Sequence, residues 1–383
     1  MRKSLTAAGA TLALAVAGVL SAGPAQAGPL VDVTAVTGQV VPGEYVVTVR
    51  PGASGAATAQ RTGIAARHVY EHAVIGFAAT LTAGQLRALQ RNRDVLAIEP
   101  NQVVHALATQ SPTPNWGLDR IDQRNLPLNN AYTFFATGAG VSAYVIDTGI
   151  QPTHPDFGGR AVVGFDATGG NGIDCNGHGQ HVAGTVGSTT YGVAKQVRLV
   201  GVRVLNCQGS GTISDVIEGV DWVRANSPGP SVANMSLGGG KSATLDTAVN
   251  NLAASGVFLA VAGGGSATDA CGFSPSGAAG AFAVAASDRT DHVASFNNRG
   301  PCIKMYAPGV SITSTWLNGG ANTISGASMA SPHVAGVAAM YKSRYGDQPS
   351  TTVANWLITV STKNVLIGVP LNTPNRLLYT NLI

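Results

Sequence analysis

From Trp116 onward the chain alternates short, almost wholly apolar runs with amphipathic ones, and this rhythm constrains the fold more than any other feature. The stretches "VSAYVIDTGI", "VRLVGVRVLN", "SVANMSLGGG" and "VFLAVAGG" read as strands without a polar face. Between them, "TISDVIEGVDWVRAN" sets Ile213, Val216, Ile217 and Val220 at helical spacing. "TLDTAVNNLAASG" does the same with Leu245, Ala248, Val249 and Leu252, and Gly256 closes it. Strands apolar on both faces, separated by helices long enough for crossovers, imply a parallel sheet covered by helices.

Composition agrees with a large buried core. Hydrophobic residues make up 45% of the 383 and charged residues 11%, which excludes a disordered chain. A formal net charge of +4, with no arginine- or lysine-rich block, gives no footing for nucleic acid. Arg2 and Lys3, an apolar run from Leu5 to Leu20, and the small-x-small triplet Ala25-Gln26-Ala27 read as a signal peptide over 1–27. No later run could span a membrane, so an exported, soluble product is expected. Export permits disulfides, and Cys175, Cys207, Cys271 and Cys302 allow three pairings between which spacing does not choose.

Residues 28–107 read as a separate small α+β module. "GEYVVTVRPG" is strand-like, Thr82 and Gln85 form a capping box ahead of Leu86 and Leu89, and "DVLAIEPNQVVHA" returns as strand. The polar, proline-bearing "ATQSPTPN" marks the boundary before a second domain, 108–383.

Three places could carry chemistry. Asp147 ends an apolar strand, where open α/β sheets place their ligand sites. His178 and His181 lie three apart in "NGHGQHVAGTV"; as a metal pair they would need further ligands, and the H-E-x-x-H spacing is absent. Ser328 opens the helical pattern "MASPHVAGVAAMYK", whose apolar face carries Val334, Val337, Ala338 and Tyr341. A helix start favours developing negative charge. A carboxylate, an imidazole and a hydroxyl are together the set that acyl transfer requires.

Their chain order, Asp147, His178, Ser328, is that of subtilisin. "VIDTGI", "GHGQHVAGT" and "ISGASMASPHVAG" resemble the three motif blocks of the subtilisin superfamily, and "WGLDRIDQR" and "NRLLY" its secreted proteinase K and aqualysin-type members. The resemblance implies a doubly wound, largely parallel sheet with helices on both faces. It implies a secreted, monomeric serine endopeptidase made as a zymogen, acting on polypeptides without a catalytic cofactor. Ser328 would be the nucleophile, His178 the base and Asp147 its orienting acid, with His181 structural. Ser236, Leu237, Gly238, Ala262, Gly263 and Gly264 would line the substrate groove, with room for a medium or large apolar side chain. The disulfides would be Cys175–Cys207 and Cys271–Cys302. The segment 28–107 is similar to inhibitory propeptides, with cleavage expected near Leu107–Ala108.

Four departures qualify this. Gln180 replaces the threonine of "HGTH", and Ala327 that of "GTSM". Counting back from Ser274-Pro275, Gly265 stands where the family has the asparagine whose amide helps hold the oxyanion beside the Ser328 N–H. Lys304 stands where many relatives have a calcium-binding aspartate, so that site is expected to be absent, with the ammonium on the carbonyls instead; calcium elsewhere stays open. The alternatives are a catalytically impaired, peptide-binding relative and, more remotely, a metallohydrolase using His178 and His181.

Overall fold

The computed structural model describes residues 30–36, 40–102 and 108–383; the expected signal segment and Leu107 lie outside these. The chain forms two compact units that divide after residue 103. No helix among the described residues is long and apolar enough to cross a membrane.

In the first unit, four antiparallel strands run in the order His68–Tyr70, Gly76–Thr80, Val40–Val49, Val95–Gln102. Val47, Phe77 and Ile98 point from this sheet onto Leu89. Leu89 belongs to the helix Ala83–Gln90, whose start is the expected reciprocal cap. The Gln85 N–H donates to the Thr82 hydroxyl and the Thr82 N–H to the Gln85 side chain.

The second unit is built on nine strands: β1 (Ser142–Asp147), β2 (Ala161–Asp166), β3 (Arg198–Arg203), β4 (Ser231–Met235), β5 (Phe258–Ala262), β6 (Phe282–Ser287), β7 (Ile303–Pro308), β8 (Thr362–Lys363) and β9 (Arg376–Leu377). They lie in the order β8-β9-β7-β6-β5-β4-β1-β3-β2. Every pairing is parallel except β8 with β9. Alternate residues feed two cores, as the doubly apolar runs require. Ala143 and Val145 pack with the helices α1 (His178–Gly187), α4 (Ala327–Tyr345) and α5 (Ser350–Val360) on one face. Tyr144 and Ile146 pack with α2 (Ile213–Ala225) and α3 (Ala243–Ala254) on the other.

The chain leaves β1 toward β3 and β2, then crosses back to β4 and beyond. The switch point is therefore the gap between the carboxyl ends of β1 and β4, where such sheets open a crevice. Asp147 ends β1, and Ser236 follows β4. The helix α4 passes through the core, and its small residues make this possible. At Gly336, an added Cβ would lie 2.5 Å from Val193 and 3.1 Å from the Val186 carbonyl.

Candidate active site

Asp147 is fully buried. Its Oδ1 accepts a 2.7 Å hydrogen bond from His178 Nδ1 and a 2.8 Å bond from the Thr148 N–H. That arrangement puts the proton on Nδ1 and leaves Nε2 as the basic nitrogen. Gly177 turns the chain into α1 at a φ of 105°, and an added Cβ there would meet the Trp316 ring. His178 thereby becomes the first residue of the helix.

Asp174 braces this turn. One carboxylate oxygen accepts from the Thr148 hydroxyl and the N–H groups of Asn176 and Gly177; the other accepts from the Gln180 N–H. Thr148 in turn accepts from the Gly179 N–H. Burial alone would push the His178 pKa down. The charge and hydrogen bond of Asp147, aided by the charge of Asp174, outweigh it and hold the imidazole above its ordinary value.

Ser328 is the second residue of α4, so its N–H has no intrahelical acceptor. Its hydroxyl donates to the Ser236 carbonyl at 3.1 Å rather than to His178. The return contact has a covalent cause. Pro332 carries no N–H for the carbonyl four residues before it, and the Ser236 hydroxyl takes that free Ser328 carbonyl at 2.7 Å. Ser236 is itself held by Asn234 Nδ2 at 2.9 Å and lies 3.1 Å from the Ser331 hydroxyl. Ser328 and Ser236 are thus tied to each other directly.

Two cavities meet along Ser236–Gly240. One, about 580 Å³, contains His178, Leu205, Ile213 and Leu245. The other, about 530 Å³, contains Ser328, Ala262, Gly264, Gly265, Phe273 and Phe296. Ser236, Leu237 and Gly238 border both. Gly263 departs from expectation and borders neither. Its N–H goes to the Val284 carbonyl, and its α-carbon faces Ile303, because strand alternation turns it to the core. Gly265 borders the Ser328 cavity with open space before it. An added Cβ would find Phe296 no nearer than 4.0 Å, and its φ lies outside the left-handed region.

His181 is buried, with Nε2 on the Ile312 carbonyl, and burial lowers its pKa to about 4. That nitrogen is committed to the backbone. Gln180 is also buried away from both cavities, where its side-chain oxygen accepts from the Gln151 N–H. Ala327 is buried as the first residue of α4. The disulfides are Cys175–Cys207 and Cys271–Cys302.

Lys304 corrects a second expectation. It takes no backbone carbonyl, and lies instead along a different groove with Pro301, Ile303 and Arg376. A lone ammonium offers no ligand to a hard cation, so the residues present do not fit calcium there. Among the described residues, no three His, Cys, Asp or Glu side chains cluster as a metal set.

Residues 138–376 match the model of the subtilase family. The chain belongs to that family. Residues 45–107 of this subtilase match the peptidase inhibitor I9 model. The chain is 52% identical to an extracellular serine proteinase of Thermus sp. (strain Rt41A) over 316 residues, 82% of this chain and 77% of that one. It is 41% identical to an alkaline serine protease of Corniculantispora psalliotae over 389 residues, 99% of each. A crystal structure of a cold adapted subtilisin-like serine proteinase superposes with a TM-score of 0.69 at 50% identity, covering 70% of this chain and 99% of that one. This subtilase is therefore a serine proteinase with an I9 inhibitor domain.

Sequence reasoning passed over Asp174, Thr148 and Asn298. For Asp174 a signal existed. An aspartate four residues ahead of the histidine, before Asn-Gly, is the pattern of a side chain capping a helix start.

Proposed function

We propose that this subtilase is exported and cleaves internal peptide bonds through an acyl-enzyme. In this reading residues 1–27 are removed on export, 28–107 act as an intramolecular inhibitor, and 108–383 form the monomeric peptidase. The 2.7 Å bond from His178 Nδ1 to Asp147 carries the proposal, because it leaves Nε2 basic on the groove side.

A substrate would lie along Ser236–Gly240. The Ser328 oxygen attacks the carbonyl carbon as its proton passes to His178 Nε2. Asp147 stabilises the imidazolium, and the proton then goes to the leaving amine. Water repeats the sequence on the ester and restores Ser328. The Ser328 N–H serves the oxyanion. No metal or organic cofactor is needed for these steps.

Gly265 supports a second reading, a peptide-binding relative with little turnover, because it brings no side-chain donor to the Ser328 cavity. A fluorophosphonate probe separates the two. Covalent labelling of Ser328 in folded, processed protein supports the enzyme; unlabelled protein supports the binding module.

A further inference from the structure

The cavity beside Ser328 is bordered by four polar side chains that the hydrolytic steps do not use, Ser266, Ser276, Ser325 and Asn298, and Asn298 is the one amide among them. Asn298 is 2% exposed and borders that cavity. Its carboxamide orientation is determined by its neighbours. The oxygen accepts from the N–H of Ser266 at 2.9 Å and of Thr268 at 3.3 Å. A flipped amide would aim N–H at N–H, so the nitrogen must occupy the other position.

Nδ2 has no hydrogen-bond partner, yet it is absent from the buried side-chain atoms that are both unpartnered and sealed from solvent. Its remaining exposure is to the cavity. Gly264 makes room for it, since an added Cβ at that position would overlap Nδ2. Of the other polar side chains here, Ser266 and Ser325 are exposed, and the buried Ser276 hydroxyl is already donated to the Ala270 carbonyl. No charged side chain borders this cavity.

Resting on the proposed peptidase reading, we infer that Asn298 selects the substrate residue preceding the scissile bond, favouring a neutral side chain that ends in a hydrogen-bond acceptor, glutamine foremost. A purely apolar side chain would displace solvent from Nδ2 and leave a buried donor unmade, which costs more than the net worth of the bond. Sites that hydrogen-bond a substrate group discriminate against analogues lacking it far more strongly than apolar pockets discriminate by size. This refines the apolar preference expected from the glycines of the pocket.

The test is a series of internally quenched peptides differing only at that residue, glutamine against norleucine of similar length. The processed parent protein should show kcat/KM at least about tenfold higher for glutamine. Asn298→Asp keeps an acceptor for Ser266 and Thr268 but removes the donor; because glutamine can itself donate to a carboxylate, the variant is read with the acceptor-only γ-methyl ester of glutamate against norleucine, and that ratio, above one in the parent, should fall below one. Should the protein label poorly with fluorophosphonate and not turn over, the same ratio is read from the affinity of peptides ending in glutamine or norleucine. That result would count against the peptidase reading and still decide the role of Asn298. A parent that prefers norleucine overturns the inference without recourse to any variant. So does an Asn298→Asp protein with an unchanged ratio.

Discussion

The two ends of the groove are built differently. At the histidine end, Asp147, Asp174, Thr148 and Asn176 hold one another and the start of α1, so each buried oxygen of Asp174 has assigned donors. At the serine end, the wall includes Ala262, Gly264 and Gly265, and its fixed points are backbone groups and Asn298. The difference reflects what each end must bury. A charged carboxylate away from water has to be surrounded by donors, and removing one strands the rest. A side chain that projects into an open cavity supports nothing behind it. The space before Gly265 is of that kind, so the residue there is free to vary in a way that Asp174 is not.

The largest test of this contrast is Ser328→Ala. It should leave the precursor uncut near Leu107–Ala108 when no other protease is present, and lower peptide hydrolysis by about 10⁶-fold, the scale of nucleophile removal in subtilisin. A processed product beginning near Ala108 in that variant would show that maturation is not autocatalytic.

The disulfides come next. Their sequence separations are 32 and 31, so the loop-closure model assigns each about 3–4 kcal/mol. Cys175–Cys207 flanks the Asp174 turn, and Asn176 donates to the Cys207 carbonyl. Cys271–Cys302 flanks the serine-side wall. Replacing either pair with serine should cost similar stability in denaturant melts. The first should lower kcat, and the second should mainly raise KM. Equal kinetic signatures would erase the distinction between the two ends.

Gly265→Asn should sharpen it. The new amide would meet charge that develops in the transition state, so kcat should rise by up to about 10²-fold with little change in KM. The open space and ordinary φ at Gly265 remove backbone strain as an obstacle. Ala327→Thr belongs in a double variant, since neighbours in one site rarely act additively. If neither folded protein is faster, another group already supplies that donor.

The smallest effect is on pH dependence. Catalysis needs neutral His178, whose pKa is raised, so kcat/KM should fall as pH drops through a value above that of free histidine. Asp174→Asn removes one charge that raises it, and the acid limb should move to lower pH, with some loss of stability from the disturbed turn. A limb that stays in place would assign Asp174 a purely structural role.

The alternation of apolar and amphipathic segments specified the layered sheet, because a strand without a polar face must be covered on both sides. The capping box at Thr82 and the central helix around Val334 were legible for related reasons, and Asp147, His178 and Ser328 were expected to react on the same kind of signal: each rests on short-range spacing or on a motif contained within one segment. The strands β2 and β6 to β9 were not singled out, since β8 and β9 have only two residues each and the others lie between loops rather than beside an amphipathic helical pattern. The sequence likewise did not reveal that Gly263 faces Ile303 or that Lys304 leaves the backbone carbonyls alone.

By itself, then, the sequence named the residues expected to react and determined the kind of sheet that would carry them. The tertiary structure decided which groups meet. Asp174 reaches Thr148 from another loop, the Ser236 hydroxyl fills the place of the N–H that Pro332 lacks, and Asn298 presents its amide behind Gly264, some thirty residues away in the chain. Hydrogen bonds act over about 3 Å of space whatever the separation along the chain. A linear reading therefore registers them only where the chain has not yet had room to turn back on itself.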